Sequence, residues 1–198
     1  LILATPTAIM AAIGQATKHG VLIKSGEALE KLGALNTLVF DKTGTLTYGN
    51  LVVSDVVNYG ISEEELLSIT ASCESFSEHP LAKAIVNKAK NDNVSISDVN
   101  NFKMYPGLGV SCEINSDKIY AGNLKFINEN GISADIGEDL DKFKNEGKAT
   151  VIVGKNNDVV GIIALSDMIR EDAPQMINAL HDIKTKTVLL TGDNTQAA

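Results

Sequence analysis

At 198 residues and 44% hydrophobic content, the chain is long enough to bury the core of one or two domains. A net charge of −8, aromatics at only 5% and the absence of tryptophan argue against nucleic acid as the main partner, since neither a basic footprint nor a stacking platform for bases is present. Cys73 and Cys112 belong to no paired-cysteine motif and read as reduced thiols of a cytosolic setting. No Gly-x-x-x-x-Gly-Lys-[Ser/Thr] loop occurs, so any nucleotide must be held in another way.

The first segment, residues 1–13, is apolar apart from Thr5, Pro6 and Thr7. It is shorter than the roughly 20 apolar residues a bilayer crossing takes, and it lacks the Met and basic flank of a signal peptide. Leu1 as first residue, with Lys18, His19 and Lys24 following, fits the cytosolic end of a membrane helix whose beginning is missing. Pro6 would kink such a helix. Residues 21–33 read as a strand or turn and then a short amphipathic helix stopped by Gly33.

Leu38-Val39-Phe40 is a buried-strand pattern that delivers Asp41 at its end. In open α/β sheets, chemistry collects at the carboxyl ends of strands. The run continues Lys42-Thr43-Gly44-Thr45-Leu46-Thr47, with hydroxyls, backbone N–H groups and a glycine suited to receiving a phosphate. A carboxylate placed there can attack phosphorus and form an aspartyl-phosphate. Tyr48-Gly49-Asn50 reads as a hinge, and residues 51–57 as another strand.

Ser62 with Glu65 forms a capping box that opens a helix reaching about Ser75, with Glu74 near its end. Pro80 starts a second helix, and His79 at its N-terminus could stack on a base where anions are favoured. A strand to Tyr105 precedes Pro106-Gly107-Leu108-Gly109, whose two glycines allow close approach to a flat ligand. Residues 110–114 and 118–121 make a hairpin, and Asn123 caps the next helix. A helix over 137–145 and strands over 149–153 and 159–165 follow. Then come Ser166-Asp167-Met168-Ile169-Arg170, a helix over about 172–183 and a strand over 187–190. That strand runs into Thr191-Gly192-Asp193-Asn194, a second strand-then-hydroxyl loop.

The ordered set Asp-Lys-Thr-Gly-Thr-Leu-Thr, Ser-Glu-His-Pro-Leu, Gly-Leu-Gly, Ser-Asp-Met-Ile-Arg and Thr-Gly-Asp-Asn resembles the P-type ATPases. Ser-Glu-His-Pro, Leu-Ala-Thr-Pro-Thr-Ala and Gly-Val-Leu-Ile-Lys-Ser-Gly-Glu-Ala-Leu-Glu resemble their heavy-metal-transporting (CPx-type) branch. The resemblance covers the whole chain. It implies an α/β fold in which a haloacid-dehalogenase-like phosphorylation domain with a parallel sheet is interrupted by an α+β nucleotide-binding domain with an antiparallel sheet. The implied boundaries are 1–20 for the end of a transmembrane helix and its extension, and 21–33 for a linker. Residues 34–48 and 164–198 would form the phosphorylation domain, incomplete, around a nucleotide-binding domain at 49–163.

The same resemblance implies roles. Asp41 would attack the γ-phosphate of ATP. Lys42, Thr43 and Thr191 would hold phosphoryl oxygens, with Gly192 and Asp193 completing the second phosphate loop. Asp41 and the Thr43 carbonyl would help bind Mg²⁺. Glu74, His79, Gly107, Gly109 and Asn123 match the adenine-nucleotide pocket, and Asp167 and Arg170 match the Asp-x-x-Arg hinge motif that contacts nucleotide on domain closure. The family's Gly-Asp-Gly-x-Asn-Asp motif and phosphoryl-stabilising lysine lie outside the chain, since Lys184 and Lys186 precede Thr191. The actuator domain and the metal-binding membrane cysteines are outside it too.

The expectation is therefore the cytoplasmic catalytic part of a multi-pass membrane pump that exports heavy-metal ions. The ions would bind outside this stretch, and the stretch alone would bind nucleotide weakly and turn over little ATP. Leu-Ala-Thr-Pro-Thr-Ala leans towards copper and silver pumps, with zinc and cadmium pumps the alternative. A soluble haloacid-dehalogenase-type phosphatase is the other reading. Such enzymes place an acid two residues after the nucleophile, where this chain has Thr43.

Overall fold

The computed structural model describes residues 3–133 and 135–190. These cluster into two units: residues 3–40 with 171–190, and residues 41–170. In the first, α1 (Ala4–Lys18) and α2 (Gly26–Gly33) precede β1 (Thr37–Asp41), while α7 (Ala173–Asp182) leads to β8 (Lys186–Leu190). β1 and β8 form a two-stranded parallel sheet. Ser25 caps α2, its hydroxyl accepting from the Ala28 N–H at 3.1 Å. Pro6 falls in the first turn of α1, where a missing N–H removes no interior helix bond. Among the described residues, no helix is long and apolar enough to cross a membrane.

The second unit is built on a six-stranded sheet of order β2-β7-β6-β5-β4-β3, antiparallel throughout. Its strands are β2 (Thr47–Asn58), β3 (Asn100–Tyr105), β4 (Gly109–Ile114), β5 (Asp117–Gly122), β6 (Ala149–Lys155) and β7 (Asp158–Ile169). α3 (Glu63–Glu74), α4 (Pro80–Asn91), α5 (Leu124–Glu129) and α6 (Gly137–Asn145) complete it. The β4–β5 turn puts Asn115 and Ser116 at positive φ (49° and 74°), as a two-residue primed turn requires.

Alternation along the inner strands separates two cores. Val151, Val153, Ile163 and Leu165 face α3 and α4, joining Leu66, Ala71 and Ile85. Ile152, Ile162 and Ala164, one residue out of step, face the other way with Phe126, Ile127 and Phe143 of α5 and α6. A period of two on strands buried on both sides gives near-continuous apolar runs such as Val159–Leu165.

Two stretches differ from the sequence reading. Tyr48-Gly49-Asn50 is not a break: β2 starts at Thr47 and passes through it, with Gly49 at φ +72° and a register shift between Thr47 and Leu51 absorbing the irregularity. Ser166 to Ile169 likewise extends β7, because β2 supplies partners there: Thr47 faces Ile169 and Leu51 faces Asp167.

Helix-on-sheet packing is tightest at Gly161, where an added Cβ would lie 2.3 Å from a Leu66 methyl and 2.6 Å from the Val57 carbonyl. Gly161→Ala should therefore destabilise the fold by about 1–3 kcal/mol. The measurement is a shift of the urea midpoint at unchanged slope.

Candidate functional site: a strand-end aspartate, its turn and a nucleotide-type pocket

Phe40, nearly buried, anchors the end of β1, and Asp41 follows it, exposed. The chain then folds into the short segment Lys42–Leu46. Thr43 (φ −76°, ψ 124°) and Gly44 (φ 76°, ψ −5°) have the dihedrals of the two central positions of a type II turn. The second of these demands positive φ, which is why glycine stands there.

What holds the turn is the hydroxyl of Thr47, a residue only 1% exposed. Its Oγ1 accepts from the Gly44 N–H at 3.1 Å, lies 3.1 Å from the Lys42 carbonyl, and lies 2.5 Å from Asp167 Oδ2. A hydroxyl has one proton, and the short contact to a carboxylate claims it. Asp167 Oδ1 is buried without a hydrogen-bond partner among the described residues. Arg170 closes the other side. Its backbone N–H donates to the Leu46 carbonyl at 2.9 Å, its Nε donates to the Thr47 carbonyl at 3.3 Å, and its guanidinium stacks 4.9 Å from the centre of the Tyr48 ring. Asp167 and Arg170 are thus brought to the phosphate-type turn. Thr191, Gly192 and Asp193 lie outside the described residues.

The donors proposed for Mg²⁺, a carboxylate at Asp41 and a carbonyl at Thr43, are hard oxygens of the kind that ion takes, and two suffice when water and phosphate oxygens complete its shell. No group of three or more His, Cys, Asp or Glu side chains that could hold a metal occurs among the described residues.

Glu74 ends α3 at 7% exposure. Burial pushes its carboxyl up to about 7, against an opposing hydrogen bond from Ser77. It lies close enough to Cys112 on β4 for its charge to act on that thiol, and the buried Cys73 beside Cys112 is held as a thiol. His79 caps α4: its Nδ1 accepts from the Leu81 N–H at 3.2 Å, which leaves Nε2 to carry the proton of the neutral ring.

At the β3–β4 turn, Gly107 has φ +72°. The Asn123 side chain ties this turn to α5, with Nδ2 donating to the Gly107 carbonyl at 3.0 Å and Oδ1 accepting from the Phe126 N–H at 2.9 Å. Gly109 sits opposite Gly122 in the β4–β5 ladder. A Cβ on Gly109 would fall 2.3 Å from the Ala121 carbonyl and 2.7 Å from the Gly122 Cα, so close strand contact by itself accounts for this glycine. The structure thus joins Gly107, Gly109 and Asn123 into one unit, and Glu74 with His79 into another at the α3–α4 connection. Asn123 also lines a cleft of about 550 Å³ with Lys144, Lys148 and Thr150, which Glu74, His79, Gly107 and Gly109 do not line.

Sequence reasoning gave no individual role to Thr47, Tyr48 or Gly122.

A strand-end aspartate followed by a glycine turn, with an antiparallel sheet between β1 and its parallel partner β8 in the chain, defines an interrupted α/β fold. Residues 35–198 match the family model described as haloacid dehalogenase-like hydrolase, and the chain belongs to that family. Within it, the chain is similar to metal-transporting ATPases. It is 41% identical over 202 residues to a probable cadmium-transporting ATPase of Alkalihalophilus pseudofirmus, covering 98% of this chain and 28% of that protein. It is 39% identical over 197 residues to a copper-exporting P-type ATPase of Staphylococcus saprophyticus, covering 99% of this chain and 24% of that one. The crystal structure of a zinc-transporting PIB-type ATPase superposes with a TM-score of 0.91 at 37% identity, covering 99% of this chain and 32% of that chain. The chain therefore spans about a quarter to a third of the length of these proteins.

Two outcomes are expected. Thr47→Val strips the turn of its anchor and leaves Asp167 without a donor, which should cost about 1–3 kcal/mol in a denaturant titration. For Glu74, the folded state holds the proton more tightly than the unfolded chain, whose carboxyl keeps its ordinary value of 4.5. Its contribution is therefore present below pH 4.5 and lost as pH rises through about 7. Glu74→Gln should match the parent at pH 4.5 and exceed it by up to about 3 kcal/mol at pH 8, read as the difference between the two melting profiles.

Proposed function

We propose that the chain is the catalytic part of an ATP-driven pump that exports heavy-metal ions and passes through an aspartyl-phosphate. The observation that carries this reading is Asp41 at the end of β1, followed by a type II turn that Thr47, Asp167 and Arg170 hold in place.

The Asp41 carboxylate attacks the γ-phosphorus of ATP. A carboxyl O–P bond forms, the bond from the γ-phosphorus to the β–γ bridging oxygen breaks, and ADP leaves with the electron pair. Lys42, Thr43 and Thr191, with Gly192 and Asp193 beside them, hold the phosphoryl oxygens. Asp41 and the Thr43 carbonyl would hold Mg²⁺, which would neutralise the phosphate charge. Water later hydrolyses the acyl-phosphate, and in the full-length protein that cycle drives a metal ion across the membrane.

Residues 49–163 are assigned as the nucleotide-binding domain, with Glu74, His79, Gly107, Gly109 and Asn123 around the base. Asp167 and Arg170 meet the nucleotide when the domains close. The partnerless Asp167 Oδ1 supports this, as an acceptor available to a hydroxyl donor. The membrane setting, the actuator domain and the ion site belong to the longer protein. Copper or silver remains the proposed cargo from Leu-Ala-Thr-Pro-Thr-Ala, with zinc or cadmium as the alternative, since similar proteins carry both names.

The deciding experiment incubates the full-length protein with γ-labelled ATP, Mg²⁺ and either Cu⁺ or Zn²⁺. Acid-stable, hydroxylamine-sensitive label should appear with one ion and vanish in Asp41→Asn. Label that survives in Asp41→Asn removes Asp41 as the nucleophile, and label independent of any metal ion removes the pump.

A further inference from the structure

Tyr48 places a partly exposed ring directly after the hydroxyl-rich turn. The β2–β7 register decides what that ring meets. Thr47 faces Ile169, and the Arg170 N–H donates to the Leu46 carbonyl at 2.9 Å, so the ladder runs one step past the end of β7 with Arg170 opposite Leu46. Tyr48, two residues on from Leu46, is then the diagonal neighbour of Arg170. Side chains so related lie on one face of the ladder, and an aromatic ring and a long side chain can reach each other there. The Arg170 guanidinium accordingly lies 4.9 Å from the centre of the Tyr48 ring. Its Nε donates to the Thr47 carbonyl at 3.3 Å.

Two constraints thus act on one planar group. The ring holds its face, and the Nε bond limits its rotation in the plane. Neither Nη makes a hydrogen bond or ion pair with the described residues. The Tyr48 hydroxyl makes none with them either, so the contact is one of the ring alone. A guanidinium held on two sides and open on the third is a preformed fork of donors, and phosphate oxygens are its geometric complement. We propose that Tyr48 is a positioning residue, its ring orienting Arg170 so that the two Nη groups meet phosphate oxygens of the bound nucleotide. This rests on the assignment of Arg170 to the nucleotide and adds the residue that aims it. Without the ring, Arg170 keeps only its Nε bond and must lose rotamer freedom each time a nucleotide binds.

The test is steady-state ATP hydrolysis by the full-length protein. Tyr48→Leu and Tyr48→Met should each raise KM for ATP by about fivefold with kcat unchanged, and Tyr48→Phe should match the parent, since it keeps the ring. The inhibition constant of adenosine, which has no phosphate, should not move. In an Arg170→Ala background, removing the ring should cost nothing more. If KM rises in Arg170→Ala but stays at the parent value in Tyr48→Leu and Tyr48→Met, Tyr48 does not position Arg170 and the assignment of Arg170 stands. An unchanged KM in all three variants overturns that assignment as well. A loss in Tyr48→Phe equal to that in Tyr48→Leu, an equal loss for adenosine, or additive losses in the double variant also overturns the proposal. Should Tyr48→Leu fail to melt cooperatively, the unbranched Tyr48→Met decides on the same readings.

Discussion

The hydroxyl of Thr47 is the point on which the phosphate-type turn depends. It is buried, and it brings the Gly44 N–H, the Lys42 carbonyl and the Asp167 carboxylate to one oxygen. A type II turn alone fixes only local dihedrals and is marginal in water. Here it is tied to a strand that arrives 120 residues later in the chain. The bond does two jobs. It satisfies a turn N–H that would otherwise compete for water, and it seats Asp167 beside the segment that follows Asp41. Arg170 repeats the connection through the Leu46 and Thr47 carbonyls. The antiparallel pairing of β2 and β7, with Thr47 opposite Ile169, is what makes both contacts geometrically available.

The six-stranded sheet brings its strands into close approach at two glycines. Gly109 and Gly122 face one another in the β4–β5 ladder, and a side chain on either would strike backbone of the other strand, as well as the Phe126 ring. Asn123 then clasps the β3–β4 turn from the start of α5. On the helical side, Glu74 is buried at the end of α3 and His79 caps α4 with one nitrogen, which leaves the other free to donate. These groups are oriented by ordinary capping and packing, so the fold itself sets their polar atoms.

Local patterns carried the elements whose cause is local. Leu38-Val39-Phe40 announced β1, Ser62 with Glu65 announced α3, Pro80 announced α4, and Asn115-Ser116 announced a hairpin. The parallel and antiparallel sheets expected from the family resemblance are both present. What was illegible depends on partners distant in sequence. Tyr48-Gly49-Asn50 has turn composition, yet it lies within a strand because β7 pairs with Thr47 and Leu51 on either side and a register shift between them takes up the glycine. Asp167 lies beyond the strand expected over 159–165, but its ladder partner Leu51 holds it in β7 and Thr47 engages its carboxylate. At Gly109 the sequence suggested close approach to a flat ligand, whereas the Ala121 carbonyl and Gly122 Cα of the neighbouring strand already leave no room for a side chain.

The same geometry bears on how long a phosphate on Asp41 would last. A hydrolase that discards its phosphate quickly needs a base beside the nucleophile to take the proton of the attacking water. The segment Lys42–Leu46 contains no carboxylate, and its second residue is Thr43. The carboxylate tied to this segment, Asp167, accepts a proton-bearing hydroxyl at 2.5 Å. The segment beside Asp41 therefore offers no carboxylate of its own for proton transfer. On the proposed reading, such a site would accept a phosphoryl group, where the transition state needs positioning and charge neutralisation, more readily than it would expel one. That asymmetry suits a cycle in which phosphorylation and hydrolysis are separate events, each available for coupling to a movement elsewhere in a longer protein.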